Sequence, residues 1–431
     1  MNGAGGAVAR PELMAIGDSC YNGVRSLTIT APLAAWSVPA QVARAFGWAF
    51  KSPDYPRPIL FDFEQIVRDP GQFATLRDIV IANARAWLAG GPWSKAEAFD
   101  NLSLAQARIA DLATFTYADH AARLPALLGD LTGSSSLKLQ SLVELHCALN
   151  GCFVLNPRND PALPQAREAP IDIVAARRPK RLLVNIGIND GIWTVCLEAT
   201  GKNLDADKIF ADMSHLGVRL LELRTSGAVD RIYLNLLPKP SAVANLMPPR
   251  NPQKCPDAGG YYPGYLGRLG TQGGLSGREL FEIDTAIARL NGEIRDGLAS
   301  LFAEAGGLEI VDTFAAMANQ DDKHCRDPEP IRVMHGKSEW HLTNIPLQGF
   351  ALFGGFTGGG LFGLDNLHPT LVGYAVLARS VCNAISAAEG IPPARPIDFQ
   401  QAFDADSLLQ DVPGLLDLED FLLNLAIAFV S

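Results

Sequence analysis

Three short polar clusters hold the residue types needed for acyl transfer: Gly17-Asp18-Ser19, Gly187-Ile188-Asn189-Asp190 and Asp365-Asn366-Leu367-His368-Pro369. A serine hydroxyl is a weak nucleophile. It needs a base in contact, a group that orients the base, and donors for the oxyanion that develops on the attacked carbonyl. Ser19 supplies the hydroxyl and His368 the base, while Asp365, three residues upstream, would hold the imidazole in the right tautomer. The Asn189 amide would donate to the oxyanion. If a helix starts at Ser19, the backbone N–H there adds a second donor, reinforced by the helix dipole. Asp18 and Asp190 read as loop supports that accept hydrogen bonds. Each pattern arises by chance in roughly one chain of this length in ten or fewer, so the ordered set is a coincidence of roughly 10⁻⁴.

At these residues the sequence resembles the SGNH (GDSL) hydrolase superfamily, whose blocks are a GDS serine, a GxND and a DxxHP. The resemblance implies a three-layer α/β/α sandwich around a parallel flavodoxin-like sheet. It also implies esterase, lipase or related acyl-hydrolase activity without a metal or other cofactor. A further block in that family carries a glycine whose backbone N–H is another oxyanion donor, usually within Asn-Leu-Ala-x-x-Gly-Ala. The match here is Asp100-Asn-Leu-Ser-Leu-Ala-Gln-Ala107, so Gln106 stands where the glycine is expected. The implied oxyanion hole is then Ser19, Gln106 and Asn189. The expected function is a serine ester hydrolase. A carbohydrate O-acetyl esterase or an acyltransferase shares its chemistry, and a catalytically idle ligand-binding module is the rival from another class.

The elements that must position these clusters are short apolar runs with the composition of interior strands. They are 12–17, 181–187, 231–237 and 308–312, with a helical pattern over 278–305 before the last. Strand, helix, strand is the pattern of an α/β fold. Stretches at 51–95, 113–178 and 238–278 exceed what a minimal domain needs and read as insertions. The last, rich in Pro, Gly and Tyr, reads as an irregular surface loop, with Tyr261, Tyr262 and Tyr265 as sugar platforms if the substrate is a carbohydrate. The glycine-rich loop 346–364 carries Phe350, Phe353, Phe356 and Phe362. It is expected either to line a pocket for an apolar acyl group or to be a buried connection. Residues 1–390 form the expected catalytic domain and 391–396 a proline-rich linker. Residues 397–431 form an acidic amphipathic helical tail that docks on the body or mediates homo-oligomers.

Composition narrows the partners. The 431 residues include 36 Lys and Arg against 46 Asp and Glu, a net charge of −10 that offers no basic field to a nucleic acid. Hydrophobic residues at 48% suit a folded core. The expected ligand is a small-molecule or lipid ester. Seven cysteines without a CxxC pair form neither a disulfide framework nor a zinc ribbon. Asp321, Asp322, His324, Cys325, His335 and His341 match no metal-ligand spacing, and the formal GxGxxG at 358–363 does not open a helix. No signal-peptide pattern opens the chain and no apolar run reaches about 18 residues, so the expectation is a cytoplasmic protein with no membrane span.

Overall fold

Four of the apolar runs pair edge to edge. In the computed structural model, which describes residues 10–133, 139–248, 260–267, 274–324, 329–350 and 355–413, they form one parallel sheet. Its strands are β1 (Leu13–Gly17), β2 (Arg181–Asn185), β3 (Arg231–Asn235) and β4 (Leu308–Val311), adjacent in that order. β1 is buried throughout, as a strand covered on both faces must be. β2 and β3 stop two residues short of the expected ends, because the chain after Asn185 and Asn235 turns away into loops. Along the other edge of β1 runs the segment 100–104. Ala15 N–H donates to Asp100 O (2.9 Å), Leu102 N–H to Ala15 O (2.8 Å) and Leu104 N–H to Gly17 O (2.9 Å).

Helices cover the sheet. α1 (Ser19–Asn22) follows β1 directly; α2 (Val38–Phe46) packs on β1. α3 (Tyr117–Gly133) and α4 (Leu139–Leu155) pack on each other as a hairpin inside one of the expected insertions. α5 (Pro170–Arg177) contacts β1, and α6 (Ala206–Thr225) contacts β3 and lies along α7 (Gly277–Leu301). α7 begins with a reciprocal cap between Ser276 and Glu279, and its Leu280, Ile287, Leu290, Ile294 and Leu298 form one buried stripe. α8 (Leu371–Glu389) packs on α2, β3 and β4. By length and composition α8 could cross a bilayer, a feature that run length in the sequence hides because Arg379 interrupts it. Here 61% of its apolar window is buried inside the protein.

One expectation for the insertions needs correction. Tyr261, Tyr262 and Tyr265 are 5%, 7% and 1% exposed, so they are core residues and not surface platforms. Tyr261 O–H donates to the buried Asp284, and its ring packs 4.2 Å from the His324 imidazole. His324 in turn faces Asp321, which also takes the Lys239 ammonium. These polar residues therefore pair with one another in the interior, leaving His324 Nε2 without a partner among the described residues. Past the proline-rich stretch, α9 (Phe399–Asp404) packs on α8, and α10 (Ser407–Gln410) packs on α9. The Asp406 carboxylate accepts from Leu371 N–H at 2.8 Å and binds the buried Arg25, which also pairs with Glu64. The apolar positions expected near 418–430 lie outside the described residues.

Candidate active site

The nucleophile end is built from the turn after β1. Gly17 approaches β2 so closely that a Cβ there would lie 2.3 Å from Asn185 O, which leaves glycine as the residue that fits. Asp18 caps α1, its Oδ1 accepting from Cys20 N–H at 3.0 Å. The same oxygen accepts from Asn185 Nδ2 at 2.9 Å, and Asn185 Oδ1 accepts from Asn235 Nδ2 at 2.9 Å. This polar ladder across the ends of β1, β2 and β3 is a feature the sequence reasoning missed. Its signal was present: two strands that both end in Asn.

Burial pushes the Asp18 carboxyl up from 3.8 to about 7, against the pull of its two hydrogen bonds. A carboxyl whose folded pKa exceeds its unfolded value binds more protons folded than unfolded, so stability falls as pH rises from about 4 to about 7. Asp18→Asn keeps the Oδ1 acceptor and removes the charge. The variant should melt with wild type near pH 4 and increasingly above it as pH rises to 8, measured by scanning fluorimetry. An equal offset at both pH values counts against this electrostatic cost.

The base end is built by the loop 361–370 at the start of α8. His368 Nε2 lies 3.1 Å from Ser19 Oγ, and His368 Nδ1 lies 2.6 Å from Asp365 Oδ2. All three side chains are buried. Asp365 accepts four hydrogen bonds: Oδ1 from Leu367 N–H (3.1 Å) and His368 N–H (2.9 Å), Oδ2 from Leu27 N–H (2.9 Å) and the imidazole. Burial pushes this carboxyl up, but the imidazole and the N–H groups of its own turn pull harder, and it ends below the usual carboxylate range. It is therefore held ionised. Leu27 N–H reaches it from a tight turn in which Arg25 and Thr28 exchange backbone hydrogen bonds at 3.1 and 2.9 Å. Ser26 and Leu27 take left-handed φ of 53° and 57°, costing about 1–2 kcal/mol each. Strain of this kind persists only where the surroundings hold it.

The donors for an oxyanion gather between these ends. Among the described residues, neither Ser19 N–H nor Gln106 N–H has an intramolecular acceptor. Asn189 donates one amide hydrogen to Ala107 O at 2.9 Å and keeps the other. Asp190 pins the same two loops together, its Oδ2 accepting from Ile109 N–H at 3.1 Å. The Gln106 loop is held from below by buried asparagines. Asn150 Oδ1 accepts from Ala105 N–H (2.8 Å), and Asn22 Nδ2 donates to Ser103 O (2.7 Å). Asn150, a lone polar residue in the apolar run of α4, is a second site residue that the sequence reasoning passed over.

Gln106 has φ of 61°, the left-handed region natural to glycine. Gln106→Gly relieves that strain but frees the unfolded chain, so its net stability change should stay under about 1 kcal/mol. If the chain is the ester hydrolase that the sequence leads one to expect, aryl acetate hydrolysis should be preserved or raised, because that mechanism needs only the backbone N–H at this position. A loss of a hundredfold in kcat/KM without unfolding would assign the work to the side chain instead.

A cavity of about 460 Å³ opens beside these groups, between the loop 104–108, the α3–α4 hairpin and Trp193. The Trp193 ring lies 6.3 Å from the His368 ring. Of the phenylalanines expected to bind substrate, Phe356 and Phe362 are not among the described residues that line it. Phe362 is 2% exposed and belongs to the core, its backbone bridged to Pro369 in the hairpin that presents His368. Phe356 stacks on Trp340 at 4.5 Å. Phe353 and the Phe350 side chain lie outside the described residues. Comparison with known proteins gives no match to this chain, whether to a family model, a curated protein or a solved structure.

Proposed function

We propose that the chain is a serine ester hydrolase that works through an acyl-enzyme on Ser19. The observation that carries this reading is the unbroken contact from Ser19 Oγ through His368 to Asp365, beside two backbone N–H groups with no acceptor among the described residues. Ser19 Oγ attacks the ester carbonyl as His368 Nε2 takes its proton. The carbonyl oxygen becomes an oxyanion facing Ser19 N–H, Gln106 N–H and the Asn189 amide. Collapse expels the alcohol, which receives the proton from His368. A water then repeats the sequence and releases the acid. Asp365 stays ionised and stabilises the imidazolium in both halves.

The fold reading is part of the same proposal. With 100–104 counted as a strand, the spatial order in chain sequence is 2-1-3-4-5, the doubly wound flavodoxin-like order. α2 packs on α8, α6 packs on α7 and α5 contacts β1; on this reading α2 and α8 are one helix layer and α5, α6 and α7 the other. Ligands in such sheets bind beyond the carboxyl ends of the strands, at the point where the order reverses. Ser19 and Gln106 follow the two strands at that point.

The test is labelling by a fluorophosphonate, followed by peptide mass spectrometry and an assay on aryl acetates. The expected result is a single adduct on Ser19 and turnover that chelators leave unchanged. No adduct and no turnover, or turnover that returns only with an added divalent ion, would overturn the proposal.

A further inference from the structure

The turn that donates Leu27 N–H to Asp365 is held shut by a residue from the far end of the chain. Ser26 and Leu27 both take left-handed φ, and neither is a residue type that favours it. Left to itself, such a turn relaxes to ordinary φ and carries Leu27 N–H away from Asp365 Oδ2. Part of the grip on it is local. Thr28 Oγ1 accepts from Phe63 N–H (2.9 Å), and Ser26 Oγ accepts from Leu364 N–H (2.8 Å). The loop that carries Asp365 presses on the turn without slack, since a Cβ on Gly363 would come 2.6 Å from Ser26 Oγ and 3.1 Å from Ser26 N.

The rest of the grip is Arg25, at the first corner of the turn. Its guanidinium is buried and shared between two carboxylates, Nη1 donating to Asp406 Oδ1 and Nη2 to Glu64 Oε2, with Ser407 Oγ accepting from Nη2 at 3.0 Å. A planar fork held at both tips has one orientation. Buried ion pairs contribute little net stability once desolvation is counted, so what this one supplies is geometry. Asp406 grips the other flank as well. Its Oδ2 accepts from Leu371 N–H at 2.8 Å, and Leu371 opens α8 directly after the loop that carries Asp365 and His368. One buried carboxylate therefore ties the turn on one side of Asp365 to the helix start on the other.

We infer that Arg25 and Asp406 are positioning residues for the catalytic aspartate. Arg25 keeps Leu27 N–H on Asp365, and Asp406, beyond the proline-rich stretch, anchors Arg25. The inference rests on the serine-hydrolase reading and extends the support of that site to the segment 398–410. Neither residue touches substrate; both act through the orientation of Asp365, and so of the imidazole.

The experiment measures kcat and KM for phenyl acetate, and the rate of fluorophosphonate labelling of Ser19, each below the melting temperature of the variant. Asp406→Ser keeps a capping oxygen for Leu408 and Leu409 N–H, the role that Asp406 Oδ1 fills, but cannot reach Arg25 and Leu371 together. Arg25→Lys keeps the charge and gives up the fork. In both variants kcat and the labelling rate should fall about 10- to 100-fold, the scale of a small misplacement in a catalytic site, while KM stays within about threefold. Adding Leu27→Gly to Asp406→Ser should recover about tenfold, because glycine takes the left-handed φ without strain and needs no anchor. Residues that only fastened the C-terminal segment would lower the melting temperature and leave both rates unchanged. Wild-type rates in both single variants, or a loss that Leu27→Gly does not reduce, overturns the inference and leaves the hydrolase reading standing. Absence of ester turnover by the wild-type protein, together with no fluorophosphonate adduct on Ser19, overturns both.

Discussion

Ser19→Ala is expected to lower kcat on an aryl acetate by roughly 10³- to 10⁶-fold, the range seen when one member of a nucleophile–base unit is removed. The hydroxyl sits 3.1 Å from His368 Nε2, and no other hydroxyl contacts that nitrogen among the described residues. The same turn keeps its architecture without it. Asp18 still caps α1 through Cys20 N–H, and the Ser19 backbone N–H is unchanged by the substitution. Stability should therefore shift by no more than about 0.5–1 kcal/mol, and the melting curve should overlay that of wild type. His368→Ala should lose a similar factor, and the double variant little more than either single one, because base and nucleophile act in one step. The readout is initial rate against enzyme concentration. Retention of a tenth or more of wild-type activity by the Ser19 variant would remove the serine from the mechanism.

The parts of this site that were legible in the sequence are those written in local patterns. Ser19 and His368 are 349 positions apart, yet each lies in a short motif of recognisable chemistry. Strands β1 to β4 were visible as apolar runs because a buried parallel strand has no polar face to interrupt it. The missing parts depend on contacts between distant segments. Nothing in Ser26-Leu27 announces a turn with two left-handed residues, since neither is Gly, Asn or Asp; only the Asp365 carboxylate explains it. The stretch 113–178 was visible only as surplus length, whereas in space its two helices wall the cavity. The tyrosines near 261 and Phe362 show a shared ambiguity. Aromatic residues among glycines suit a ligand platform and a packed interior equally well, and composition alone does not separate the two.

Asp365→Asn separates a catalytic carboxylate from a merely well-bonded turn residue. Each oxygen of Asp365 accepts two N–H donors, so all four acceptor positions are filled. An asparagine has one oxygen. Whichever way the amide is turned, its NH₂ meets donors. Facing Leu367 and His368 N–H, it breaks the turn that presents the base. Facing Leu27 N–H and the imidazole, it meets one backbone donor and forces His368 into the tautomer with Nδ1 as acceptor. Nε2 then carries the proton and points it at Ser19, so the serine has no base. A substitution of this kind costs kcat roughly 10⁴-fold in the serine protease triad that serves as the reference case, and a similar loss is expected here. Leaving one backbone N–H unsatisfied should add a destabilisation of about 1–3 kcal/mol. The two effects are separable by assaying well below the melting temperature and by probing with a fluorophosphonate. The folded variant should react with the probe far more slowly than wild type, since the hydroxyl is present but not activated. If Asp365→Asn keeps wild-type kcat while its melting temperature falls, Asp365 holds the loop and plays no part in orienting the base.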